Sequence, residues 1–154
     1  MLLEFVAVYA RLEYALKRVG RATEGRDGKV NVAWEGLLTE LAPHFRAEAN
    51  ATVRDAVQYI AENPPRREVF EKHGVRFAKV PAATVGIPLK TLVDHVRRTR
   101  NNLFHGGKFP LEPVSEPARN ERLLHSGVIV LIEIIHLCRD HVPDVYHAFS
   151  EDLT

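Results

Sequence analysis

Val128-Ile129-Val130-Leu131-Ile132-Glu133-Ile134-Ile135-His136-Leu137-Cys138 is the stretch on which the fold turns. Only Glu133 and His136 interrupt it, and it falls well short of the roughly 20 apolar residues that a bilayer crossing needs. A helix that is apolar nearly all round must be buried on most sides, in the middle of a bundle or in a subunit interface. Ser115-Glu116-Pro117 supplies a start for it, with a capping side chain and a proline in the first turn. The pattern runs on to about His141, where Pro143 ends it.

Helices to surround it are spaced along the rest of the chain. Residues 2–19 place Leu2, Phe5, Val6, Tyr9, Leu12, Leu16 and Val19 at intervals of three and four, the mark of an amphipathic helix. Gly20 terminates it, and Arg21 to Lys29 reads as a loop. A second helix is expected from Asn31, a candidate N-cap, with Trp34, Leu37, Leu38, Leu41 and Phe45 on one face and Pro43 kinking or dividing it. A third begins after Asn50 or Thr52, turns Val53, Val57 and Ile60 inward, and ends at Asn63-Pro64-Pro65. Between Arg66 and Pro88 the helical rhythm breaks. Val69-Phe70 and Val75-Arg76-Phe77 flank His73-Gly74, which suits a small β-hairpin, with a short helix as the rival. From 89 to about 105, Leu89, Leu92, Val93, Val96 and Leu103 share a stripe, and Gly106-Gly107 stops the helix. Pro110 and Pro113 keep the next loop extended. The expected fold is therefore all-α: an up-and-down bundle of about five helices with a small irregular or β-hairpin insert.

Composition fits one globular unit. The chain has 154 residues, 45% hydrophobic and 27% charged, so residues 1–154 are read as a single helical domain with a substantial core. Lys and Arg number 21 against 20 Asp and Glu, so nucleic-acid affinity would have to come from a local patch. Cys138 is the lone cysteine and reads as a buried thiol in a reducing compartment. The N-terminus lacks a basic leader, and the expected location is the cytoplasm, with no membrane partner.

The helix over 89–105 carries the candidate chemistry. Asp94, Arg98, Asn101 and His105 recur at i, i+4, i+7 and i+11 and form one polar stripe. Arg100 falls instead over the apolar stripe, where it must snorkel to an edge, meet a carboxylate, or lie in an interface. Arg100 and His105 stand about 140° apart on an ideal helix. They share one phosphate only if the helix end distorts or a second chain contributes. A neutral imidazole takes the proton of a ribose 2′-hydroxyl, an imidazolium gives one to the leaving 5′-oxygen, and a guanidinium stabilises the charge on phosphorus. No metal-bound water is needed. By spacing alone, an Arg and a His on the last turns of a surface helix are a solvated face that suits the helix dipole, and Arg-x4-His is a weak pattern.

The longer string Arg97-Arg98-Thr99-Arg100-Asn101-Asn102-Leu103-Phe104-His105-Gly106-Gly107-Lys108 resembles the C-terminal motif of HEPN domains (higher eukaryotes and prokaryotes nucleotide-binding), which joins Arg to His across four to six residues. Leu12-Glu13-Tyr14-Ala15-Leu16-Lys17 and Asn63-Pro64-Pro65-Arg66-Arg67 are similar to stretches of a bacterial group of these domains. Arg100 is favoured as the motif arginine because Asn101 follows it, although Arg98 fits the longer spacing. The resemblance implies a dimerising helical bundle acting as a metal-independent endoribonuclease, with Arg100, Asn101 and His105 catalytic. Arg97, Arg98, Asn102 and Lys108 would then bind RNA. It also implies a toxin of a toxin–antitoxin or defence system, with a second copy of the chain, RNA, and a cognate antitoxin or nucleotidyltransferase as partners. The alternative it leaves open is a non-catalytic nucleotide-binding or protein-assembly module.

Other residues carry less. His136, Cys138 and His141 look metal-like in sequence, yet helical positions point them apart, and no metal or other cofactor is expected. Gly106-Gly107-Lys108 does not match a phosphate loop. Glu133, set among apolar residues, is a candidate partner for a buried arginine such as Arg100.

Overall fold

The apolar run at 128–138 lies at the centre of the longest helix, α5 (Pro117–His141), in a computed structural model that describes residues 1–83, 86–105 and 116–151. Around it stand α1 (Leu2–Arg18), α2 (Trp34–Leu41), α3 (Ala51–Glu62), α4 (Leu89–His105) and α6 (Pro143–Ser150), and α5 touches every one of them. Val130, Leu131, Ile134 and Cys138 have no exposed surface, whereas Ile132 is 38% exposed, so one edge of the central helix reaches the surface. The core joins Phe5, Leu12 and Leu16 of α1, Leu37 and Leu41 of α2, Ile60 of α3, and Leu92, Val93 and Val96 of α4 to that helix. No helix among the described residues is long and apolar enough to cross a membrane.

The expectation of an all-α bundle of about five helices is corrected on two counts. The described residues form six α-helices, and they include two antiparallel two-stranded sheets. The first sheet occupies the stretch read as a loop: β1 (Ala22–Glu24) pairs with β2 (Val30–Val32), Ala22 opposite Val32 and Glu24 opposite Val30. Strands of three residues are too short to show alternation. Their turn, Arg26–Gly28, holds Asp27 at φ 61°, a left-handed position that an aspartate tolerates. Asn31 consequently sits in β2 and caps nothing, and α2 starts later than expected. The second sheet is the hairpin reading of 66–88: β3 (Arg67–Glu71) pairs with β4 (Gly74–Ala78), Phe70 facing Val75. It stands away from the core, with none of its residues buried.

The sixth helix was hidden by a proline. Pro143 does follow the end of α5, but it occupies the first turn of α6, where a missing N–H costs nothing. Val145 and Ala148 then turn inward, and Arg11 of α1 fastens the far end by donating to the carbonyls of Phe149 and Glu151. Elsewhere the local signals hold. Gly20, at φ +79°, follows α1, and the Arg21 N–H closes back on the Leu16 carbonyl at 2.8 Å. Asn50 is the cap of α3, accepting from the N–H groups of Thr52 at 2.8 Å and Val53 at 3.3 Å. Helix α5 begins after Glu116 without a side-chain cap, and Ser115, Pro110 and Pro113 lie outside the described residues.

Three helices are lashed together at one end. Pro64 and Pro65, buried just after α3, supply no N–H groups, yet their neighbourhood presents carbonyls that need donors. Arg119 of α5 donates to the Pro64 carbonyl at 2.8 Å, and Asn102 of α4 donates to the Arg66 carbonyl at 2.9 Å. Where α1 and α4 meet α5, Gly127 allows close approach: a Cβ there would lie 2.7 Å from the Phe5 ring and 3.7 Å from Val96.

Candidate functional site

Helix α4 presents its chemistry on its last three turns. Its first two turns are anchored by Leu89, Leu92, Val93 and Val96, but Leu103 is 37% and Phe104 49% exposed, so the end of the helix runs past the core. Arg100 sits half-buried at that transition. Its guanidinium carbon lies 5.7 Å from the centre of the Tyr9 ring and 4.8 Å from that of Phe104, and Nη1 donates to Oδ1 of Asn101 at 3.2 Å. Of the three fates open to an arginine over an apolar stripe, this is snorkelling, assisted by two aromatic faces.

The suggested pairing of Arg100 with Glu133 is corrected. Glu133 faces His136 of its own helix at 3.9 Å, and Arg100 has no carboxylate partner among the described residues. A cation that is half-buried and held on rings, with no carboxylate beside it among the described residues, is suited to receive an external anion.

Arg98 is differently disposed. His95, 8% exposed on the inner side of α4, has its Nδ1 3.4 Å from Nη1 of Arg98. A guanidinium only donates, so Nδ1 accepts and the imidazole proton lies on Nε2. Burial first, and the Arg98 charge second, push the His95 pKa below its usual value, so the ring is neutral near pH 7. Arg97 donates to Asp94 at 3.3 Å in a half-exposed ion pair. Asn101 is exposed, whereas Asn102 spends its amide on the Arg66 carbonyl. His105 is the last residue of α4; its imidazole and all of Gly106, Gly107 and Lys108 lie outside the described residues.

Tyr9 belongs to this neighbourhood although periodicity alone marks it as core. It is 4% exposed, and its ring lies 6.1 Å from Phe5 and 5.8 Å from Trp34. Burial, reinforced by the Glu13 carboxylate, pushes its phenol well above the usual range, while Arg97 and Arg100 pull the other way. Beside it opens a cleft of about 400 Å³ lined by Glu13 and Lys17 of α1, Val30, Asn31 and Val32 of β2, Trp34 of α2 and Arg97 of α4. Trp34 Nε1 donates to Oε1 of Glu13 at 3.4 Å on its inner wall. Of these residues the motif reading supplied only Arg97. Phe104 could have been found from its i+4 spacing to Arg100, but nothing local joins Tyr9, Lys17 or Asn31 to the motif.

His136, Cys138 and His141 face different surroundings. Cys138 is fully buried and its thiol pushed up to about 12 by that burial. His136 points to Glu133, and His141 stacks on His44 with ring centres 3.6 Å apart. Among the described residues no group of three metal-ligating side chains converges. No protein-family model, curated protein or solved structure matches the chain.

Proposed function

We propose that the chain is a metal-independent endoribonuclease of the HEPN type, working as a homodimer with its site at the end of α4. The observation that carries this reading is Arg100: half-buried, clamped between Tyr9 and Phe104, without a carboxylate partner among the described residues, and on the same short segment as His105. Arg98 is the weaker candidate because its guanidinium is engaged with His95.

In the proposed reaction, neutral His105 removes the proton of the ribose 2′-hydroxyl, and the 2′-oxygen bonds to phosphorus. The bond from phosphorus to the 5′-oxygen breaks, and the partner's His105, as imidazolium, protonates that oxygen. Arg100 faces the charge that accumulates on the phosphoryl oxygens. Asn101, already hydrogen-bonded to Arg100, fixes the angle of its planar fork. Arg97 and Lys108 contribute to the basic approach. A toxin of a toxin–antitoxin or defence system, restrained by an antitoxin or nucleotidyltransferase, is the setting that goes with such an activity.

The test is cleavage of RNA in the presence of EDTA. Products ending in 2′,3′-cyclic phosphate are expected, abolished by His105→Ala and reduced about 10²-fold or more by Arg100→Lys, which keeps charge but loses the fork. Activity that vanishes with chelator, or survives His105→Ala, overturns the mechanism. Exposed Leu103 and Phe104 beside Arg100 favour the second reading, a non-catalytic nucleotide-binding or assembly module. A wild-type chain that binds nucleotide without any cleavage would establish that one instead.

A further inference from the structure

We infer that the cleft between α1, β2 and α4 is a nucleotide subsite, holding one ribonucleotide of the RNA next to the phosphate that Arg100 receives. The identity of the ligand as part of an RNA strand rests on the endoribonuclease reading; the cleft and its chemistry do not.

Its size falls in the range of small-ligand sites, about 300–1,000 Å³. Its lining combines what a nucleotide presents. The Lys17 ammonium has no ion-pair or hydrogen-bond partner among the described residues, and Arg97 keeps donors beyond the one it gives Asp94. Together they face an anionic phosphate. The side chain of Asn31 is likewise without a partner among the described residues, and its amide both donates and accepts, as reading a base edge requires. Glu13, held by Trp34 at Oε1 and by the Tyr9 hydroxyl, fixes the polar inner end of the cleft. Val30, 58% exposed, and Val32 give a low apolar wall for the plane of a base. A free cation is disfavoured by Lys17 and Arg97, and an apolar ligand by the charged rim.

The cleft and the candidate site share one turn of α4. Arg97 precedes Arg100 by three residues, about 4.5 Å along α4, and both guanidinium groups act on the same tyrosine. A strand laid along this face meets Arg100 with its phosphate and the cleft with the adjoining nucleotide. Gly25 helps to build it. A Cβ at Gly25 would come within 2.5 Å of Nδ2 of Asn31, so only a glycine leaves that amide where it lies.

The experiment is titration of the full chain with 5′-AMP, 5′-GMP, 5′-CMP and 5′-UMP, and with inorganic phosphate, followed by NMR shift perturbation and calorimetry. At least one nucleotide is expected to saturate, with perturbations centred on Lys17, Asn31 and Arg97, and to bind at least tenfold more tightly than phosphate. Lys17→Ala and Arg97→Ala should each weaken it about tenfold, while Arg100→Ala retains it. Asn31→Asp, at an exposed side chain, should reorder preference among the four bases while the far-UV circular dichroism stays that of wild type. No saturation, equal binding of phosphate, perturbations elsewhere, or variants that bind like wild type overturn the subsite. RNA cleavage measured in parallel separates the two readings. Cleavage without nucleotide binding overturns the subsite alone, and binding without cleavage overturns the endoribonuclease alone.

Discussion

Replacing Gly127 by Ala puts two opposing effects at one atom of the core. In the interior of α5, alanine is favoured over glycine by about 1 kcal/mol through backbone entropy. Against this, the new Cβ would lie 2.7 Å from Cε2 and 3.3 Å from Cδ2 of Phe5. Carbon atoms prefer roughly 3.5–4.0 Å. Phe5 has no exposed surface and stacks on Tyr9, so its ring cannot swing out into solvent. Overpacking of this kind costs about 1–3 kcal/mol. Gly127→Ala should therefore lower stability by up to about 2 kcal/mol, and the melting temperature by up to roughly 8 °C for a domain of this size. Urea unfolding followed by far-UV circular dichroism measures it. The deciding control is Phe5→Leu, which removes the ring atoms in question: in that background Gly127→Ala should become stabilising by up to about 1 kcal/mol. A stabilising Gly127→Ala in the wild-type chain, or an equal cost in both backgrounds, would falsify the account of how α1, α4 and α5 pack.

Three further outcomes follow from the site. His95 has a folded pKa below its unfolded value of about 6.5, so the unfolded chain binds the extra proton first. The stability it contributes is fully present above that value and is lost as pH falls towards the depressed one. Unfolding midpoints from pH 7.5 down to 5 should thus fall less steeply in His95→Gln than in wild type, and parallel curves would remove His95 from the explanation. Tyr9→Phe should leave the seat of Arg100 unchanged, whereas Tyr9→Leu removes it; a double-mutant cycle with Arg100→Ala should give a coupling of about 0.5–1 kcal/mol for the ring, and zero coupling would contradict the clamp. Asn102→Ala should cost about 1 kcal/mol and speed hydrogen exchange at the base of β3, because the Arg66 carbonyl loses its donor. Unchanged exchange there would show that the lashing is inconsequential.

Periodicity was enough to place α1, α3, α4 and α5, since each puts large apolar residues on one side at intervals that no other structure satisfies. It was blind to β1 and β2, whose three-residue strands bury nothing, and to α6, where Pro143 reads equally as a stop or a start. The site was legible as far as one helix could show it. The projection that set Arg100 over the apolar stripe posed the right question, and the answer came from Tyr9, which is 91 residues away along the chain and joined to Arg100 only by packing. Asn102 illustrates the converse. A polar residue inside a motif invites a role in binding, but here it closes a carbonyl next to two prolines. That need is visible only once α3, α4 and α5 are seen to converge.

The proline pair at 64–65 therefore has a bearing on the site some distance from it. Helix ends ordinarily fray, and a catalytic group on a fraying turn must be ordered anew at each encounter with substrate. In this chain the last turn of α4 is tied through Asn102 to a peptide that is itself stiffened by two fixed φ angles and gripped by Arg119 from the other side. In the proposed reaction, a turn held this way leaves less ordering to be done when RNA arrives.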